Sequence, residues 1–224
     1  MPAITSTSSS GVPTRSRVEE FLAKHDPVRA RLIVAADATA SREGLWDMSV
    51  GLTGEMFQAV AGIGGIDVQL VHYKGFGRCH ASQWVSDPKK LAGIMASVRC
   101  EAGHTQIGRV LRHILREHAQ KKINAAVVIS DACEEHESDL YNAARELGGV
   151  PVFMFQEGND DRVAGIYAEI ARITSGAVAK FDSGAAARLA DLLKAVAAFA
   201  AGGIKALEAQ KSAAATLLLT QMKK

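Results

Sequence analysis

The sequence predicts a doubly wound α/β domain: a mostly parallel sheet with one antiparallel edge strand and helices on both faces. Three observations lead there. Short apolar runs without alternation, at 31–36 (RLIVAA), 125–130 (AAVVIS) and 150–156 (VPVFMFQ), read as strands buried on both sides. Stretches at helical spacing separate them. The first two runs each stop on an aspartate, Asp37 and Asp131.

Taken in order, the chain opens with a Ser/Thr-rich stretch, 1–16, expected to be disordered. Residues 17–24 suit a short helix ahead of His25-Asp26-Pro27, and the domain itself is expected over 17–203. After the first strand, Leu45, Met48, Leu52, Met56, Ala59 and Ile63 recur at helical spacing, weakened by Gly51 and Gly54. Residues 66–74 (IDVQLVHYK) alternate as a strand. Gly75 and Gly77 make a turn, and 78–85 returns as an antiparallel partner, a hairpin at the sheet edge. Ser86-Asp87-Pro88 starts a helix to about 99, with a capping side chain and a proline in its first turn. After a break at Gly103-His104-Thr105, a second helix carries the stripe Ile107, Val110, Leu111, Ile114 and Leu115. Beyond the strand at 125–130 come helix 138–147, strand 150–156, helix 162–173, strand 177–181 and helix 185–201. Apolar strands alternating with helices imply the parallel, doubly wound arrangement.

A chain of 224 residues suits one sizeable α/β domain with tails. At 48% hydrophobic and 22% charged it has the composition to bury a core. A net charge of +2 is too mild to favour nucleic acid or a membrane surface. Cys79, Cys100 and Cys133 form no CxxC pair, which fits a reducing compartment better than a disulfide scaffold. The amino terminus lacks the apolar stretch of a signal peptide, and no apolar run approaches the ~18 residues of a membrane span. The expected location is cytoplasmic.

The chemistry gathers at the two strand-terminal aspartates. In an open α/β sheet, ligands bind beyond the carboxyl ends of the strands, near the switch in strand order. Two carboxylates there repel unless a cation lies between them. The loop after Asp37 adds hydroxyls in Asp37-Ala38-Thr39-Ala40-Ser41, and Thr105 heads a later helix. An all-oxygen set of this kind suits small, hard Mg2+ (or Mn2+).

The pattern D-x-T-x-S at 37–41, with Thr105 and Asp131, resembles the metal-ion-dependent adhesion site of von Willebrand factor type A domains, in particular the stand-alone bacterial ones. The resemblance covers roughly 30–201, including a closing helix–strand turn at 170–177 (IARITSGA). It implies Asp37, Thr39 and Ser41 as metal ligands, with Thr105 and Asp131 binding directly or through water. It also implies a protein partner that completes the shell with an Asp or Glu. Two positions depart from the pattern: Thr39 stands where serine is commoner, and Ala132 where many relatives have glycine. The expected function is a non-enzymatic, divalent-metal-dependent protein-interaction module.

The rival is a Mg2+-dependent phosphoryl-transfer or hydrolase enzyme on a similar sheet. Haloacid-dehalogenase-like phosphatases use a second aspartate as acid/base where this chain has Thr39. Response-regulator receivers need an acidic pair before the first strand's aspartate, and none is present. No phosphate loop GxxxxGK[ST] appears. Other candidates take plainer readings. His72, Cys79 and His80 are isolated hairpin residues rather than zinc ligands, and Cys133 is a small buried thiol. Glu134, Glu135 and Glu137 form a solvated helix start. Arg109, Arg112 and Arg116 make a solvated stripe on the helix that Thr105 precedes. After Gly202-Gly203, the tail at 204–224 is helical and Ala/Leu-rich. Leu217-Leu218-Leu219 cannot all share one narrow stripe, so packing back on the domain and self-association through the tail stand level.

Overall fold

A computed structural model describes residues 29–39, 56, 65–182 and 185–222. The expected disordered tail, the helix at 17–24 and Ser41 lie outside these residues. So does the helix at 45–63 except for Met56, which is helical and buried.

Six strands form one sheet in the order β3-β2-β1-β4-β5-β6. The strands are β1 (Ala30–Asp37), β2 (Ile66–Lys74), β3 (Arg78–Ala81), β4 (Ala125–Ser130), β5 (Val152–Glu157) and β6 (Val178–Phe181). Among the described residues the β2–β3 pair is antiparallel and the other strand pairs are parallel. Strands β1 and β4 are buried along their whole length, which is why both read as continuous apolar runs. Strand β3 stops sooner than its hydrophobic pattern predicts. The Ser82 hydroxyl takes over the Leu70 N–H at 3.0 Å, and pairing resumes only at an isolated Val68–Val85 bridge.

Helices cover both faces. On one, α1 (Pro88–Ala96), α5 (Ala186–Ala209) and α6 (Ala213–Met222) pack with Leu32, Val34, Val127 and Phe153. On the other, α2 (Ile107–Gln120), α3 (Glu137–Glu146) and α4 (Asp161–Ile173) pack with Ile33, Ala35, Val128 and Met154. Capping agrees with local sequence at two starts. Asp87 accepts the Lys89 N–H at 2.8 Å, and Asp160 accepts those of Arg162 and Val163.

The segment beyond Gly202-Gly203 belongs to the first of these layers. Gly203 takes φ 66° and ψ −158°, a non-helical conformation that breaks α5 into two helical segments where the sequence predicts a break. After a turn the chain doubles back as α6, burying Ala214, Ala215 and Leu218, with Leu217 and Leu219 half-buried beside them. The Gln221 amide then lies along the free edge of β6. It accepts the Val178 N–H and donates to the Val178 carbonyl, both at 2.8 Å. A side chain thereby occupies backbone groups that an edge strand otherwise offers to another chain. Among the described residues no helix is long and apolar enough to cross a membrane.

Candidate metal centre

Strand order runs outward in opposite directions from β1 and β4, and a doubly wound sheet leaves a crevice beyond the carboxyl ends of such a pair. Asp37 closes β1 and is 1% exposed; Asp131 directly follows β4. Thr39 stands two residues past Asp37, and Thr105 enters from the loop before α2. Asp37, Thr39, Thr105 and Asp131 line one cleft of about 270 Å³, together with Gly103 and Glu134. Ser41, the fifth expected ligand, is outside the described residues.

The Asp37 carboxylate is held from two sides. Its Oδ1 accepts the Thr39 N–H at 2.7 Å and its Oδ2 accepts the Ser130 hydroxyl at 3.2 Å. Burial pushes this carboxyl above its ordinary value. The bonds from Thr39 and Ser130 pull it back, and the Asp131 charge adds to the upward push. Below, the Tyr167 hydroxyl donates to the Ala132 carbonyl at 2.9 Å, pinning the residue after Asp131. Tyr73 is fully buried in the same layer. Burial, and after it the Asp37 charge, hold its phenol well above the usual range. Sequence reasoning passes over Ser130, Tyr73 and Tyr167. For Ser130 a signal exists: a hydroxyl closing an otherwise apolar buried run.

The loop that carries Thr105 is propped by the β2–β3 hairpin. A Cβ on Gly103 would overlap the Gly75 backbone, so only glycine lets the two segments touch. The His104 N–H donates to the Gly75 carbonyl at 3.3 Å. The Gln106 side chain reaches the Lys74 and Gly75 carbonyls, also at 3.3 Å. At its other end the Glu101 N–H donates to the Ala38 carbonyl at 3.0 Å, tying the loop to the segment between Asp37 and Thr39.

Thr105 does not cap α2 with its side chain; Gln106 is the N-cap residue and forms no side-chain cap bond. The Thr105 hydroxyl instead donates to Glu134 Oε2 at 2.6 Å and accepts the Glu134 N–H at 3.1 Å. The Thr105 N–H reaches the same carboxylate oxygen at 2.9 Å. Burial opposes ionisation of Glu134, but the bonds from Thr105 outweigh it and hold the carboxyl below its ordinary value. Glu135 accepts the N–H groups of Ile107 and Gly108, the latter at 2.9 Å. Glu135 thus serves the amino end of α2, while Glu134, still exposed, holds Thr105 just ahead of that helix. Glu137 does sit in the first turn of α3.

The remaining candidates separate. Cys133 is buried, and burial pushes its thiol up to about 11, well away from a reactive thiolate. His72 and His80 stack at 5.4 Å between ring centroids. Cys79 pairs in register with Tyr73 and packs toward the opposite face of the sheet.

No family model matches the sequence, and no curated protein matches it either. Solved structures do match by shape. The von Willebrand factor domain of the type V pili tip protein Mfa5 from Porphyromonas gingivalis has a TM-score of 0.55, covering 76% of this chain and 94% of its own at 10% identity. The ArnB paralog VWA2 from Sulfolobus acidocaldarius has a TM-score of 0.53 at 14% identity. The chain adopts the von Willebrand factor type A fold. The pilus adhesin SpaC from Lactobacillus rhamnosus GG, in its open conformation, matches at a TM-score of 0.58 and 10% identity. This chain spans 30% of the length of SpaC and 44% of that of VWA2, so the likeness is to one domain of each.

Among the described residues, the cleft of this von Willebrand factor type A fold is lined by carboxylates and hydroxyls with Ala102, Gly103 and Ala132, and by no nitrogen or sulfur side chain. Such a donor set fits a hard divalent cation and does not fit zinc or copper. Among the described residues no three His, Cys, Asp or Glu side chains are grouped to hold a metal.

Proposed function

We propose that this domain is a non-enzymatic interaction module that binds Mg2+ (or Mn2+) at the cleft and, through it, an Asp or Glu side chain of a protein partner. One observation carries the reading: Asp37 and Thr39, Thr105, and Asp131, from three distant stretches of the sequence, converge on one cleft at the switch point of the sheet. The cation would supply a Lewis-acidic point for a carboxylate oxygen. The protein's part is to hold its own oxygens in place. Ser130 and the Thr39 N–H orient Asp37, Tyr167 fixes the backbone after Asp131, and the Gly103–Gly75 contact positions the Thr105 loop. The fold match to adhesin and pilus-tip domains supports a binding role.

Isothermal titration with Mg2+ and Mn2+ tests the reading. One site is expected in the wild type and none in Asp37→Ala. Binding that survives this substitution would overturn it. Turnover of a phosphate ester with Mg2+, abolished by Asp37→Asn, would instead favour an enzyme.

A further inference from the structure

A second cleft lies on the flank of the domain, between α2 and the edge strand β3. It has a volume of about 320 Å³ and is lined by Arg109, Arg112, His113 and Arg116 from the helix, with Cys79 and Ala81 as its floor. The three arginines are exposed, and none of them forms an ion pair with a described residue. The helix itself offers them no acid. Their neighbours three and four residues away are other arginines, Thr105, Gln106, Gly108, His113, Leu115, Ala119 and Gln120. The one carboxylate in α2, Glu117, is turned away: it accepts the Arg31 guanidinium and the Trp84 indole N–H, both at 2.9 Å. Glu135, whose carboxyl feels the Arg112 charge, is bonded to the amino end of α2.

A merely solvated basic face gains nothing from gathering three guanidinium groups around one concavity, where they repel one another. The floor adds no negative charge, because burial holds the Cys79 thiol above its ordinary value. His113 is fixed by its Nε2, 2.8 Å from Gln69 Oε1. The result is a walled site of positive charge whose guanidinium forks match the oxygens of a tetrahedral oxyanion.

We propose that the α2–β3 groove is a phosphate-binding site, which takes a phosphate monoester on Arg109, Arg112 and Arg116. It is separate from the metal cleft and does not depend on it. Free phosphate and a phosphorylated serine side chain share this chemistry, and the test distinguishes them.

The experiment is run on the full chain in EDTA, so that the metal cleft is silent and its failure is not confused with failure here. Orthophosphate and a phosphoserine peptide are titrated by isothermal calorimetry. The unphosphorylated peptide and sodium chloride at matched ionic strength serve as controls. Saturable binding of phosphate or phosphopeptide is expected, at least tenfold weaker in Arg112→Gln and lost in the Arg109→Gln/Arg112→Gln/Arg116→Gln triple variant. Because these side chains are exposed, the triple variant is expected to keep the wild-type melting temperature. Its Mg2+ titration, run separately, provides a further check that the fold is intact. Saturation by the phosphopeptide alone assigns a protein ligand, and saturation by orthophosphate as well assigns the phosphate group itself. Equal binding by wild type and the triple variant, or a response to sodium chloride equal to that to phosphate, would overturn the proposal.

Discussion

Thr105 is the residue at which sequence and structure differ most usefully. By sequence it reads as a metal oxygen at the head of a helix. In the fold its hydroxyl faces the cleft and is engaged by Glu134, not by α2. Loss of that oxygen leaves both aspartates in place. Thr105→Ala is therefore expected to weaken Mg2+ binding by about tenfold, or about 1.4 kcal/mol, without abolishing it. Titration of the variant beside Asp37→Ala checks this. Affinity equal to wild type would remove Thr105 from the metal's surroundings, and complete loss would mean that the loop at 103–105 has moved.

Among the elements, α6 shows how a segment without clear amphipathicity finds a place. Its three leucines point around the helix, yet only Leu218 is fully buried, while Leu217 and Leu219 lie half-covered on the rim. Contact with α5 and β6 selects which leucine matters, and the Gln221–Val178 amide pair sets the register along the strand. Leu218→Ala is expected to cost about 2–5 kcal/mol by cavity formation, and Leu217→Ala distinctly less. Urea melts of the two variants measure the difference. Equal, small losses would show that α6 contributes little to the folded core. The amino end of α2 makes a related point. Its backbone N–H groups are met by Glu135, from a loop 27 to 28 residues later in sequence, so no local capping signal precedes the helix.

For the whole molecule, the proposed cation and the stability of the fold are linked, because the cleft exists only when β1, β4 and the loop before α2 are assembled. With Mg2+ a hundredfold above its dissociation constant, linkage adds about 2.7 kcal/mol. In a domain of this size that corresponds to a rise of roughly 5–10 °C in melting temperature. Asp131→Asn is expected to shrink that rise. In EDTA the same change is expected to raise the melting temperature, since the Asp131 charge is one of the influences pushing the Asp37 carboxyl upward. Scanning calorimetry with and without Mg2+ gives both numbers. A lower melting temperature for Asp131→Asn in EDTA would show that this carboxylate carries a structural bond instead.

The sequence by itself determined the sheet and the two aspartates that end its central strands, because strands buried on both faces leave unbroken apolar runs. Strands β1 and β4 fall within a residue of where those runs lie, and β2 lies where alternation marks it. It also marked Thr39 and Thr105 through the family pattern they complete. What only the tertiary structure decided is everything that depends on partners distant in the chain. Glu134 belongs with Thr105 across 29 residues, Ser130 with Asp37 across 93, and Gln221 with Val178 across 43. The three arginines of α2 likewise became the wall of a cleft only when β3 was laid beside them. Periodicity records which face of an element is buried, but not which polar group it meets there, because hydrogen bonds and charges act between neighbours in space and leave no regular spacing along the chain.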